Sequence, residues 1–193
     1  MIAISGTGRC GTTFLMIIFI FLKFNTGFTE DKFDLNISSN CNSGLENIDI
    51  NTLTSNFHIV KHPQLIDTKD NIIKFISNND LEHMIIPIRN LEDAARSREK
   101  LGGVNGGDGS IAGGLWKANN YREQLDFYHK VMAQYLETMV IYDIPTIFID
   151  FKKMINNPRY LYFKLIVIFD KYNISFKVFK EAYIKADNHQ KKK

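Results

Sequence analysis

Ile2-Ala3-Ile4-Ser5-Gly6-Thr7-Gly8-Arg9-Cys10-Gly11-Thr12-Thr13-Phe14-Leu15 is the stretch on which the rest of the chain depends. Ile2, Ala3 and Ile4 make a short apolar run of the kind buried inside a parallel sheet. Gly6, Gly8 and Gly11 then supply the one residue type that lets backbone turn tightly and approach a ligand with no Cβ in the way. From Thr12 onward the sequence turns apolar and helical. Strand, glycine loop and helix start thus follow in order. Loop amides and the positive helix end then converge on one point, which suits a phosphate or a similar anion.

Gly6 and Gly11 stand at the interval of the pattern G-x-x-x-x-G-K-[ST], and Thr13 falls on its metal-binding hydroxyl. Thr12 replaces the lysine that would reach the β- and γ-phosphates, and the cation of the loop is Arg9. The string predicts a loop that holds a terminal phosphate and supports a different transfer beside it. Arg9-Cys10-Gly11-Thr12-Thr13 resembles the 5′-phosphosulfate loop of the sulfotransferases, whose donor is 3′-phosphoadenosine 5′-phosphosulfate (PAPS). That loop commonly runs [KR]-[ST]-G-T-[ST], and Cys10 stands where Ser or Thr is usual.

A second stretch carries the same resemblance. The apolar run Met84–Ile88 leads into Arg89 and Asn90, with Asp93 following and Ser97 eight positions beyond Arg89. An arginine fork and a hydroxyl suit a phosphate dianion. In sulfotransferases the 3′-phosphate motif has this shape, with Pro where this chain has Leu91. Two further stretches are similar to family segments: Thr146–Arg159, and Gly113-Gly114-Leu115-Trp116-Lys117 before a long helix. The distal R-K-G motif of many cytosolic members is missing, which leaves Arg96, Arg98 and Arg122 as arginines available to complete that phosphate site.

The resemblance implies a PAPS-dependent sulfotransferase that moves a sulfuryl group to an acceptor hydroxyl or amine on a small molecule or glycan. It places Gly6, Thr7, Gly8, Arg9, Cys10, Gly11, Thr12 and Thr13 at the 5′ end of the donor, and Arg89 and Ser97 on the 3′-phosphate. Phe14 stands where many members have a Trp near the adenine. In-line sulfuryl transfer develops charge on the bridging oxygen, where a cation and backbone amides act without a metal; Arg9 is the candidate. Lys61-His62-Pro63 resembles the family's K-T-H, one residue short, which makes His62 a candidate base and Lys61 a contact to the leaving group or sulfonate. Neighbours on a strand point to opposite faces, so both enter one pocket only if the strand has ended. Two other readings stand beside this one. A P-loop kinase or NTPase would draw its Mg²⁺ carboxylate from Asp150, and a degenerate nucleotide-binding module would turn nothing over.

The remaining pattern bounds the fold. At 193 residues the chain is expected to be one domain over 1–193, and 45% apolar with 12% aromatic content is globular rather than disordered. Of 24 basic residues three are Lys191, Lys192 and Lys193, so the body balances its 21 acids and no basic field argues for nucleic acid. Two cysteines, Cys10 and Cys41, make no disulfide framework and fit a reduced, cytoplasmic setting. Phe14–Phe24 is about half the roughly 20 residues a membrane span needs and contains Lys23, so it reads as a buried helix. With the loop starting at residue 6, no anchor is expected before it.

Further strands are expected at Phe57–Lys61, Met84–Ile88 and Thr146–Ile149, with Pro87 favouring a strand end or edge. Asn25–Asn56 reads as loops with one short element, and Gln64–Asn78 as a surface helix. Asn90 caps a helix to about Leu101, and Gly102–Gly114 is a glycine loop of the lid type. Lys117–Tyr142 predicts a long amphipathic helix with Tyr121, Leu125, Tyr128, Met132, Tyr135, Leu136 and Met139 inward. Pro158 and Ser175 open two last helices, the second burying Phe176, Phe179, Ala182 and Tyr183. Strands alternating with helices give an α/β class: a three-layer α/β/α P-loop fold around a central, mostly parallel sheet.

Overall fold

The computed structural model describes residues 1–38, 41–102 and 111–191. Four strands, β1 (Ile2–Ile4), β2 (Ile59–Lys61), β3 (His83–Ile88) and β4 (Thr146–Asp150), pair in the order β2-β1-β3-β4. Every pairing is parallel, with Ile2 opposite both Ile59 and His83, and Met84 opposite Thr146. Around the sheet lie α1 (Thr12–Phe21), α2 (Lys69–Asn78), α3 (Leu91–Gly102), α4 (Tyr121–Ile141), α5 (Phe151–Asn156), α6 (Pro158–Lys164), α7 (Ile166–Lys171) and α8 (Phe176–Lys191).

Alternation along the strands feeds two cores, one on each face. Ile2, Ile4, Ile59, Ile85 and Ile149 pack against α1, the α5–α7 segment and α8. Ala3, Val60, Met84 and Ile86 pack on the other face with Ile72 and Phe75 of α2 and Val131 and Tyr135 of α4. The result is a three-layer α/β/α fold. Helix α1 is buried along nearly its whole length between sheet and α8, with Phe14 edge-to-face on Tyr183. That explains an apolar run with no polar face: the helix has no side exposed to water. No helix among the described residues is long and apolar enough to cross a membrane.

Pro87 is the last but one residue of β3, at the strand end as expected, although that strand is interior, between β1 and β4. Ser5 N–H donates to the Ile85 carbonyl, and alternate residues of a parallel ladder face the same neighbour, so Pro87 faces the β1 side just where β1 has given way to the glycine loop. No donor is needed there. The long helix starts at Tyr121 rather than Lys117, because the Asn120 side chain accepts from the Arg122 and Glu123 amides and Lys117 is in the left-handed region at φ 53°. Its buried face is Gln124, Tyr128, Val131, Tyr135 and Thr138, while Leu136 is 44% exposed. Gln124 Oε1 accepts from Trp116 N–H, while its Nε2 is buried with no partner among the described residues, and Thr138 Oγ1 donates to the Gln134 carbonyl. The segment after β2 is a short 3₁₀ turn, Pro63–Ile66, followed by α2 under a Thr68 cap. The glycine stretch expected as a lid lies, from 103 to 110, outside the described residues.

All four strands run the same way, so Ile4, Lys61, Ile88 and Asp150 end along one edge. The strand order reverses direction between β1 and β3, and in such sheets ligands bind outside the carboxyl ends at that point.

Candidate functional site

A cavity of about 580 Å³ opens at this edge and is lined from every strand end: Gly6–Arg9 after β1, His62 after β2, Arg89 after β3 and Phe151 after β4. Its floor is the loop between β1 and α1. Gly11 takes φ 89° and ψ 20°, and a Cβ there would lie 2.5 Å from Met154 Cε and 3.1 Å from the Phe151 ring. Gly8, at φ 79°, lies so close to the Arg98 guanidinium that any side chain would collide with it. Gly11 has no side chain to cap α1, the first turn contains no acid, and Thr12, Thr13 and Phe14 present helix amides that have no partner within the helix. These are the requirements of an anion cradle.

Arginines gather on the same side. Arg9, itself left-handed at φ 54°, donates from Nε to Ser97 Oγ at 3.3 Å and from Nη1 to the Cys41 carbonyl. Arg89 Nη1 donates to the Arg9 carbonyl at 3.0 Å and its guanidinium lies over the Phe151 ring. Arg98 donates to Tyr128 Oη and to the Gly114 carbonyl, joining α3 to α4 and to the end of the glycine stretch. Burial, reinforced by the charges of Arg98 and Arg89, holds the Arg9 guanidinium below its ordinary value. Among the described residues none of Arg9, Arg89 and Arg98 forms an ion pair with a carboxylate. Of the three arginines available to complete the site, only Arg98 lines the cavity. Arg96 pairs with Glu92 over the Tyr121 ring, and Arg122 is exposed.

The expected residues divide by what their side chains do. Gly6, Thr7, Gly8, Arg9, Gly11, Thr12 and Thr13 all line the cavity, as do Lys61, His62 and Arg89. Ser97 reaches it through Arg9. The Cys10 side chain is fully buried, burial pushes its thiol up, and its Sγ lies where a Gly6 side chain would sit. Phe14 borders the cavity but is 2% exposed, most of its ring belonging to the core on Tyr183. Asp150 is outside the lining and uses its carboxylate to cap α5 through Lys153 N–H.

Beside the loop, β2 stops at Lys61, and this is why both Lys61 and His62 reach the cavity; Lys61 Nζ and Thr13 Oγ1 both donate to the Gly44 carbonyl. Lys61, with a side chain 1% exposed, donates to Glu46 Oε1 at 2.6 Å and to the Gly44 carbonyl. Burial lowers the Lys61 pKa against the pull of Glu46, and the Lys61 charge keeps the Glu46 carboxyl low although burial acts the other way. His62 Nδ1 accepts the Gln64 amide at 3.2 Å, and burial holds the ring below its ordinary pKa despite Glu46. The neutral ring therefore carries its proton on Nε2.

Sequence reasoning did not single out Glu46, Asp67 or Cys41. Glu46 and Cys41 come from the patternless loop before β2, and Asp67 from the residue after the 3₁₀ turn. Asp67 Oδ2 accepts Trp116 Nε1–H at 2.6 Å and pairs with Lys117 Nζ at 3.5 Å. Burial raises its pKa against both partners and Arg98. The only available signal for this group was Trp116, inside the Gly113–Lys117 segment already singled out. Comparison with protein-family models, with curated proteins and with solved structures returns no match for this chain.

Proposed function

We propose that the chain is a sulfotransferase that moves a sulfuryl group from PAPS to an acceptor hydroxyl or amine. One observation carries the reading: three arginines with no carboxylate partner among the described residues share one cavity with a glycine loop and an uncapped helix N-terminus. Such a site calls for a polyanion. In this reading the 5′-phosphosulfate lies on the Gly6–Thr13 loop, with the Gly11, Thr12 and Thr13 amides around it and Arg9 at the bridging oxygen. Arg89, Ser97 and Arg98 take the 3′-phosphate.

Charge developing on the leaving oxygen then meets fixed dipoles and a fixed cation, which need no reorganisation during transfer. Lys61 is neutralised by Glu46, so Arg9 is the better source of that charge. A kinase reading has no observation of its own: Thr12 replaces the loop lysine, and Asp150 is spent on a helix cap away from the cavity.

The test is thermal unfolding with 3′-phosphoadenosine 5′-phosphate (PAP), beside AMP and Mg-ATP. At about 100 times Kd a ligand adds roughly 2.7 kcal/mol, which for this size is an upward shift of about 5–10 °C. The expected result is a shift with PAP that exceeds the shift with AMP and is lost in Arg89→Ala, each protein being compared with its own ligand-free midpoint. A shift with Mg-ATP and none with PAP overturns the reading.

A further inference from the structure

A transfer to an acceptor hydroxyl needs a group to receive the proton, and that group must hold a lone pair that is both free and accessible. Three groups on the acceptor-facing wall could serve, and the hydrogen bonds around them separate the three. In His62 the lone pair of the neutral ring is on Nδ1 and already accepts the Gln64 amide, 3.2 Å away. What His62 turns toward other partners is Nε2–H, a donor. Glu46 is bound through Oε1 to the Lys61 ammonium, 2.6 Å away, and that contact neutralises an otherwise buried lysine. Protonating Glu46 would leave Lys61 as an uncompensated buried charge.

Asp67 differs from His62 in having a free oxygen, and from Glu46 in that its partner Lys117 is 46% exposed, so protonating it strands no buried charge. It lines the same cavity, and its Oδ2 takes both the Trp116 indole and the Lys117 ammonium. Oδ1 has no partner among the described residues, yet it is not among the buried polar atoms left without one. The carboxylate is thus held through one oxygen and open through the other. Trp116 and Lys117 fix its plane, because the indole N–H comes from a ring set against α4 through the Trp116 amide and Gln124.

We propose that Asp67 is the general base of this site and that His62 acts beside it as a neutral hydrogen-bond donor; the proposal rests on the sulfotransferase reading. In the step, the acceptor oxygen forms a bond to the sulfur of PAPS and its proton passes to Asp67 Oδ1. The bond from sulfur to the 5′-phosphate oxygen breaks, its electron pair stays on that oxygen, and PAP leaves. The Asp67 proton is then released to solvent. His62 Nε2–H is the donor offered to a sulfonate or acceptor oxygen, a task that a protonated ring would meet only at the added cost of burying its charge. The charged groups facing Asp67 are Lys117 and Arg98, and those facing His62 are Glu46, Lys61 and Asp49.

The experiment uses PAPS with water and benzyl alcohol as acceptors, and follows inorganic sulfate and benzyl sulfate in wild type, Asp67→Asn and His62→Gln. PAP binding is measured in each by thermal shift. Asp67→Asn keeps the side-chain shape and an oxygen for the Trp116 indole. The expected result is a PAP shift equal to wild type, a fall in kcat of about 100-fold or more, and loss of the acid limb of the kcat/KM profile. His62→Gln is expected to lower kcat while keeping that limb. If Asp67→Asn retains the acid limb, or His62→Gln loses it, the base is not Asp67. Wild type that binds PAP yet releases neither product also overturns the proposal. Wild type that fails to bind PAP overturns the donor reading instead, so the two failures are told apart.

Discussion

On one side of the cavity the polar groups are backbone amides of Gly6–Thr13 together with Arg9, Arg89 and Arg98. Next to them, from Lys61 outward, come side chains drawn from four segments: Glu46 before β2, Lys61 and His62 at its end, Asp67 after the 3₁₀ turn, and Trp116 before α4, with Lys117 paired to Asp67 from outside the lining. The first wall carries positive charge with no carboxylate pairing among the described residues. The second matches its charges internally, Lys61 to Glu46 and Lys117 to Asp67. One wall is therefore poised for an external anion, while the other is nearly neutral and suits a neutral or weakly polar group. In the proposed reading, the first wall takes the polyanionic donor and the second the acceptor alcohol.

The first wall depends on conformation, so the largest effect is expected from a backbone that cannot adopt it. Gly11→Ala places a Cβ at φ 89° and 2.5 Å from Met154 Cε. Left-handed strain and overpacking together cost about 2–5 kcal/mol, read as a lower midpoint in urea unfolding, with the PAP shift abolished. A loss below about 1 kcal/mol would mean that the loop is not held in this form.

The same contrast decides what the sequence made legible. The first wall is local: a strand, glycines at set intervals and a helix start lie within Ile2–Phe21, and Arg89 and Ser97 lie within one strand–helix unit. Short-range pattern reports such units faithfully, and the α/β class with its parallel sheet follows from their alternation. Glu46, Asp67 and Trp116 meet only through tertiary packing, and no spacing rule links a loop acid to a lysine 15 positions away. The buried face of α4 was missed for a related reason. Gln124 and Thr138 read as surface residues until their partners, Trp116 N–H and the Gln134 carbonyl, are known.

The second wall depends on paired charge, and Lys61→Met tests it. Removing one partner of a buried pair costs about 3–5 kcal/mol when the other is sealed. Glu46 is 35% exposed, so solvent relieves part of that and about 1–3 kcal/mol is expected. Glu46→Gln in the Lys61→Met background should recover much of the loss, and a double-mutant cycle reads the coupling. Additive losses would show that the two side chains do not act as a pair.

Asp67→Asn should move stability the opposite way. Burial raises the Asp67 pKa, so the folded state binds more protons than the unfolded chain between the ordinary carboxylate value and the raised one. Stability is then lost as pH rises through that window, and at pH 7 the native state carries the penalty. Removing the charge should stabilise by about 0.5–2 kcal/mol while lowering kcat by about 100-fold or more. A destabilised Asn variant at pH 7 would mean that the contacts of Asp67 with Trp116 and Lys117 outweigh its burial.

The smallest effect is a slope. Burial lowers the His62 pKa, so between that value and the ordinary 6.5 the unfolded chain binds the additional proton and stability rises with pH. Wild type should therefore lose stability as pH falls from neutrality through the ordinary histidine range. The loss is bounded by about 1.4 kcal/mol per pH unit, the limit for a single proton. His62→Gln should flatten this part of the curve, since glutamine can still accept the Gln64 amide but cannot charge; His83, also lowered by burial, sets the residual slope. The comparison of the two walls turns on this result. If the slope is unchanged in His62→Gln, the ring protonates as readily in the folded chain as in the unfolded one. Its Nδ1 is then not committed to Gln64, and the neutral, donor-only role assigned to His62 on the acceptor wall fails.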